Sequence, residues 1–167
     1  MANYNKMAFS DIRSYLWYHL KNEEILDEND YWVDKMGIKL NPIIPSQQIP
    51  EFQNLLPGVP YIVYDIETLS YDTEFWICEE VATLTVVGDS FSKLSAVLEL
   101  TKDLFRRYDV AAADINNFKT DTTFRFLKTY ISGILSPNIG SEGDGQTATI
   151  EITYCYTRDI GAGMRYQ

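Results

Sequence analysis

Four carboxylates crowd one stretch of the chain: Asp65 and Glu67 in YIVYDIE, and Glu79 and Glu80 in WICEEVA. Brought together across a strand pair, two of them would suit general acid–base work. Carboxylates on strands more commonly form a solvated rim, and nothing in the spacing marks a partner base. A site around Asp65, Glu67 and Glu79 therefore stands as an alternative only, a small cytoplasmic carboxylate enzyme. His19 is the sole histidine and sits among apolar neighbours, the setting of a packed or rim residue. Cys78 and Cys155 belong to no CxxC or Cys/His set and read as reduced core thiols. The acidic run 23–30 lacks the DxDxDG pattern of a calcium loop, and GSEGDG at 140–145 lacks the Gly-Lys-Ser/Thr ending of a phosphate loop. The expectation is no catalytic residue, no cofactor and no metal.

The totals narrow the classes further. With 167 residues, one α+β domain with a real core is expected. Charged residues make up 23% and aromatics 14%, which suits a globular chain better than a disordered one. The net charge of −10 gives no electrostatic reason to grip nucleic acid, which basic phosphate contacts hold. It does suit a surface that DNA passes without arrest. No apolar run approaches the ~18 residues of a membrane span. The start MANYNKMAF lacks the apolar centre of a signal peptide, so host cytoplasm is the expected place of synthesis.

The elements that would position these residues follow from periodicity. Residues 10–22 place Ile12, Tyr15, Leu16, His19 and Leu20 on one helical stripe, with Ser10 or Asp11 as the cap. Residues 31–58 carry Pro42, Pro45, Pro50 and Pro57 and leave room for one short edge strand over 38–44. Residues 61–66 read as a strand, 69–73 as a turn and 74–87 as a long second strand of an antiparallel hairpin. Gly88-Asp89-Ser90 ends that strand and opens a helix whose stripe is Leu94, Val97, Leu98, Thr101, Leu104, Phe105 and Tyr108. Residues 110–119 stay unassigned. Residues 122–135 alternate, with Phe124, Phe126 and Tyr130 on one side and Arg125, Leu127, Thr129 and Ile131 on the other. Residues 147–156 alternate most cleanly, and the Gly-rich tip 136–146 joins the two as a second hairpin. The sum is an antiparallel sheet of four to five strands, two helices on one face, and long Pro-rich and Gly-rich loops.

The order of amphipathic helix, Pro-rich segment, PYIVYD, FWICEEVATLTVVGDS, FSKLSAVLELTKDLFRRYD and a hairpin ending TATIEITYCYTRD resembles the tail terminator, or tail completion, proteins of long-tailed bacteriophages. The likeness spans most of the chain and is strongest over 60–109. TVVGDS is similar to the strand–Asp–Ser–helix step of that family. The extended segments 31–58 and 136–146 depart from its shortest members and leave another neck or tail-tube component as an alternative.

The resemblance implies a non-enzymatic virion protein. It would form a homohexameric ring on the head-proximal end of the tail tube, stop tube growth and offer a docking surface to the head-side connector. The implied partners are further copies of itself, the tail tube protein, the head-completion or connector protein and, where the tail is contractile, the sheath protein. DNA would pass through the lumen without specific binding, and no membrane is involved. The expected assembly contacts are Tyr61, Tyr64, Asp65 and Glu67 on the first strand, Asn138, Glu142 and Asp144 at the hairpin tip, and Arg158, Arg165 and Tyr166 near the end.

Overall fold

A computed structural model describes residues 6–25, 32–33, 39–40, 42–48, 61–72, 77–88, 91–139 and 146–158. The first helix, α1 (Phe9–Asn22), buries Ile12, Leu16 and Leu20 completely along its apolar stripe. The expected cap is not made: Ala8 occupies the N-cap with no side-chain bond, and Asp11 is turned inward and buried. The first-turn amides of Ser10 and Asp11 donate instead to the carbonyls of Met7 and Ala8. At the other end Glu24 adopts φ 56° and the Ile25 amide donates to the Leu20 carbonyl, closing the helix with a left-handed residue.

Two short strands, β1 (Trp32–Val33) and β2 (Lys39–Leu40), pair with each other, and β3 (Ile43–Pro45) begins the main sheet. Where the sequence leaves room for one edge strand over 38–44, the window holds β2 at 39–40, and β3 overlaps it only at Ile43 and Ile44 and runs on to Pro45. β4 (Tyr61–Asp72) and β5 (Ile77–Gly88) form the expected antiparallel hairpin. Residues 69–72, read as a turn, instead continue β4, and a bulge between Thr68 and Ser70 accommodates the extra length. The expected cap at Asp89 and Ser90 lies outside the described residues.

Helix α2 (Phe91–Leu104) buries Leu94, Val97, Leu98 and Thr101; the Thr101 hydroxyl donates to the Val97 carbonyl at 2.7 Å. Phe105 is also fully buried, but the chain breaks there and restarts as α3 (Tyr108–Phe118) over the segment that periodicity left unassigned. The hairpin of β6 (Phe124–Ile139) and β7 (Gln146–Arg158) completes the fold.

The five-stranded sheet has the order β3-β4-β5-β7-β6, antiparallel except for the parallel β3–β4 pair. Among the described residues three helices cover one face: α2 lies over β5 and β7, α3 lies against β6, and α1 packs against both helices. One core gathers Ala82, Leu84 and Val86 of β5, Ile150, Ile152 and Tyr154 of β7, and the helical stripes. Each large apolar side chain so buried contributes roughly 1.5–3 kcal/mol. The opposite parity carries Asp65, Glu67, Thr83, Thr85 and Glu151, so this face is mainly polar.

β6 departs from simple alternation. Its register against β7 shifts between Phe126 and Lys128, between Ile131 and Gly133, and between Leu135 and Asn138. The first shift keeps Phe124 and Phe126 in the core but exchanges the faces beyond them. Thr129 is then fully buried opposite Tyr154, whereas Tyr130 lies opposite Thr153 on the polar face. This corrects the expected grouping of Tyr130 with the two phenylalanines: one extra residue reverses the side chains between it and the next shift.

Candidate functional site

The described structure places the expected contact residues at separate points. On β4, Tyr61 is half-buried and Tyr64 faces inward, its ring 4.6 Å from that of Phe9. Burial raises the Tyr64 hydroxyl above its ordinary range, with Arg13 opposing the shift. Tyr64 is therefore a packing residue more than a surface contact. Asp65 and Glu67 are exposed, and Asp65 accepts a hydrogen bond from the Ser46 hydroxyl. Asn138 pairs with Thr147 at one end of the last hairpin, and Arg158 pairs with Phe124 at the other. Glu142, Asp144, Arg165 and Tyr166 lie outside the described residues.

The carboxylates of the central hairpin do not converge. Asp65 and Glu67 stand opposite Thr83 and Val81, and Glu79 stands beyond the bulge opposite Ser70. Glu80 lies on the other parity, with the Thr68 hydroxyl 3.5 Å from its Oε2. Among the described residues no three His, Cys, Asp or Glu side chains gather as metal ligands would. Burial pushes the thiols of Cys78 and Cys155 up, the opposite of an activated thiolate. His19 packs edge-on against Tyr15 at 4.6 Å, and burial lowers it, partly offset by Glu23 and Asp114.

A different set of residues does converge, where the start of α1, the end of α3 and the open end of the β6–β7 hairpin meet. The carboxylate of Asp11, buried in the first turn of α1, holds the Lys6 ammonium at 2.6 Å through Oδ1. Its Oδ2 lies 3.5 Å from the Lys119 ammonium, and Asp121 lies 3.3 Å from Lys6. Lys119 follows α3 directly, and its side chain is only 7% exposed. Its Nζ has no hydrogen-bond partner among the described residues; the pairing with Asp11 is ionic and long. Burial lowers the Lys119 ammonium, and the Asp11 charge recovers only part of the shift. Lys6 moves the other way: burial would lower it, but its bonds to Asp11 and Asp121 outweigh that and raise it.

Asp121 is fixed by a local turn in which the Thr123 amide donates to its Oδ1 at 2.6 Å. The Thr123 hydroxyl, with this amide bond and Lys6 adding to it, lowers the carboxyl to about 2. Arg158 donates to the Lys6 carbonyl at 3.2 Å and lies over the Phe124 ring at 5.0 Å. Arg125, exposed one residue along β6, completes the cationic rim.

A cleft of about 620 Å³ opens between these groups, bordered by Asn116, Lys119, Asp121, Phe124, Arg125 and Arg158. A smaller one of about 350 Å³ adjoins it at Lys6 and Asp11, and Lys119 and Asp121 border both. Together Lys6, Lys119, Arg125 and Arg158 face Asp11 and Asp121, a local excess of positive charge on a chain of net −10. Such an arrangement can hold an anion at its rim.

Of this cluster only Arg158 is among the residues expected from sequence. Asp11 reads there as a helix cap, and Lys119 falls in the unassigned segment. The one local signal was Asp-Thr-Thr at 121–123, which carries the spacing of a side-chain-to-backbone turn. No protein-family model matches the chain, and no curated protein matches it either.

Proposed function

We infer that this chain is a non-enzymatic virion assembly protein, a phage tail terminator. It acts as a homohexameric ring on the head-proximal end of the tail tube, stops tube growth and receives the head-side connector. The observation that carries this reading is the one-sided sheet: three helices cover one face, and β6, a 16-residue strand, forms one edge. A long sheet edge is the surface through which a neighbouring chain adds, and head-to-tail contacts of that kind close into rings when the rotation permits. The family itself enters through the sequence resemblance, and function by resemblance is analogy. The net charge of −10 suits a lumen through which DNA slides.

The partners on this reading are further copies of the chain, the tail tube protein, the connector protein and, for a contractile tail, the sheath protein. A tail-tube or other neck component is the nearest second reading, and it differs in stacking without end.

Light scattering and negative-stain imaging of the purified protein, alone and with preformed tail tubes, test the proposal. Six-fold rings, or monomers that become a ring at one tube end, are expected. Long self-stacked tubes would transfer the assignment to a tube protein. A monomer indifferent to tubes would end the virion reading and return attention to the carboxylates of β4 and β5.

A further inference from the structure

The main sheet offers a neighbouring copy two edges, so strand addition between copies admits three pairings. One edge is β6. The other is shared: β3 pairs with Ile62, Val63 and Tyr64 of β4, and among the described residues no strand lies beside β4 beyond them. Asp65 is held there by the Ser46 hydroxyl, and residues 67–71 are all exposed. An edge of this kind presents a row of backbone donors and acceptors to an incoming strand.

The two edges are opposite in charge. β6 carries Arg125 and Lys128 and no acid, whereas β4 carries three acids, Asp65 and Glu67 among them, and no base. Arg125 and Lys128 stand opposite Thr157 and Cys155, and Asp65 and Glu67 stand opposite Thr83 and Val81. All four therefore project on the polar face of the sheet. Pairing β6 with β6 would set bases near bases, and β4 with β4 would set acids near acids. Both edges also expose apolar side chains, Leu127 and Ile134 on β6 and Leu69 and Tyr71 on β4.

We propose that β6 of one copy adds to the length of β4 beyond β3 in a second copy, continuing the sheet head to tail. This rests on the ring reading and names both sides of its contact. Three antiparallel pairings separate β4 from β6, so the two strands run in opposite directions and would meet antiparallel. Glu67, Val81, Thr153 and Tyr130 form one row across the sheet. Rotation about an axis parallel to the strands repeats that row and sets Glu67 opposite Tyr130 of the next copy. Lys128, two residues from Tyr130, then becomes a diagonal neighbour of Glu67 on the same face, roughly 7–8 Å away. β6 is regular from Lys128 to Ile131 and β4 is regular up to Thr68, so the contact centres where neither strand is bulged. Asn116 occupies the edge only at Phe126, outside this run. Such a heterologous contact closes into a ring when the rotation per copy permits.

The test follows self-association of the full chain by light scattering and negative-stain imaging. Lys128→Glu and Glu67→Lys are each expected to weaken it about fivefold, because reversing one charge turns an attractive cross-strand pair repulsive. The double variant should restore it. So should an equimolar mixture of the two single variants, since each then supplies the charge that the other's edge lacks. Glu67→Lys reduces the net negative charge of the chain and would strengthen association if only total charge mattered. Both residues are exposed, so the variants keep the fold, which circular dichroism checks.

Rings that form equally well in every variant would overturn the edge contact and leave the ring reading intact. Weakening that the double variant does not reverse would overturn the pairing of β6 with β4. Open filaments with the expected charge dependence would retain the contact and remove the ring. A parent chain that stays monomeric, alone and on preformed tail tubes, would overturn both.

Discussion

Thr129 shows how a single atom reports on the packing. It is fully buried opposite Tyr154, and its hydroxyl has no hydrogen-bond partner among the described residues. A buried hydroxyl without a partner costs about 1–3 kcal/mol, so replacing it by a methyl of similar shape removes a penalty. Thr129→Val is expected to raise unfolding stability by about 1 kcal/mol in a urea titration. A loss of stability would mean that the hydroxyl is bonded.

Asp121 allows a test by pH. Its folded-state pKa is about 2, below the ordinary 3.8, because the Thr123 hydroxyl and then its amide bind the ionised form and Lys6 faces it. A carboxylate whose pKa falls on folding stabilises the fold above the unfolded value and loses that contribution as the pH drops toward the folded one. The stability gap between the parent and Asp121→Asn should therefore be full above pH 3.8 and close on acidification toward about 2. Half-exposure of the side chain keeps the gap modest. A gap that persists unchanged to the acid limit would contradict the assigned turn.

At the scale of elements, the free edge of β6 is partly occupied by the fold itself. The Asn116 amide of α3 donates to the Phe126 carbonyl at 2.8 Å, and the Phe126 amide donates to the Asn116 side-chain oxygen at 2.9 Å. Asn116 thereby takes the place of a neighbouring strand at that one residue. Beyond it the exposed Leu127 and Ile134 show that the edge is not a fully charged, self-protecting one. Asn116→Ala is expected to cost about 1–2 kcal/mol, the sum of two hydrogen bonds, and to raise light scattering at high concentration. Unchanged scattering with unchanged stability would show that this pair does not guard the edge. The bulges of β6 act in the same direction, since each shift in register twists the strand and interrupts the template it offers.

At the scale of the molecule, the sequence and the structure divide the explanation between them. Local periodicity is enough to read α1, α2, the hairpin of β4 and β5, and the alternation of β7, because a helical stripe or a strand face repeats within one element. The general α+β architecture follows from the same patterns. The placement of Tyr130 does not, because a bulge depends on the partner strand, and one added residue exchanges the two faces. Helix α3 is short, and the break before it at Phe105–Arg107 interrupts a stripe that sequence alone would continue. The charged cleft was least legible: Lys6, Asp11, Lys119 and Asp121 are up to 115 positions apart in the chain, and each has an ordinary local reading. What the sequence determined by itself was where α1, α2 and β7 run and which side they bury, since those follow from neighbours along the chain. Only the tertiary structure decided that four bases and two acids would gather around two adjoining clefts, because that depends on where α1, α3 and the last hairpin end in space.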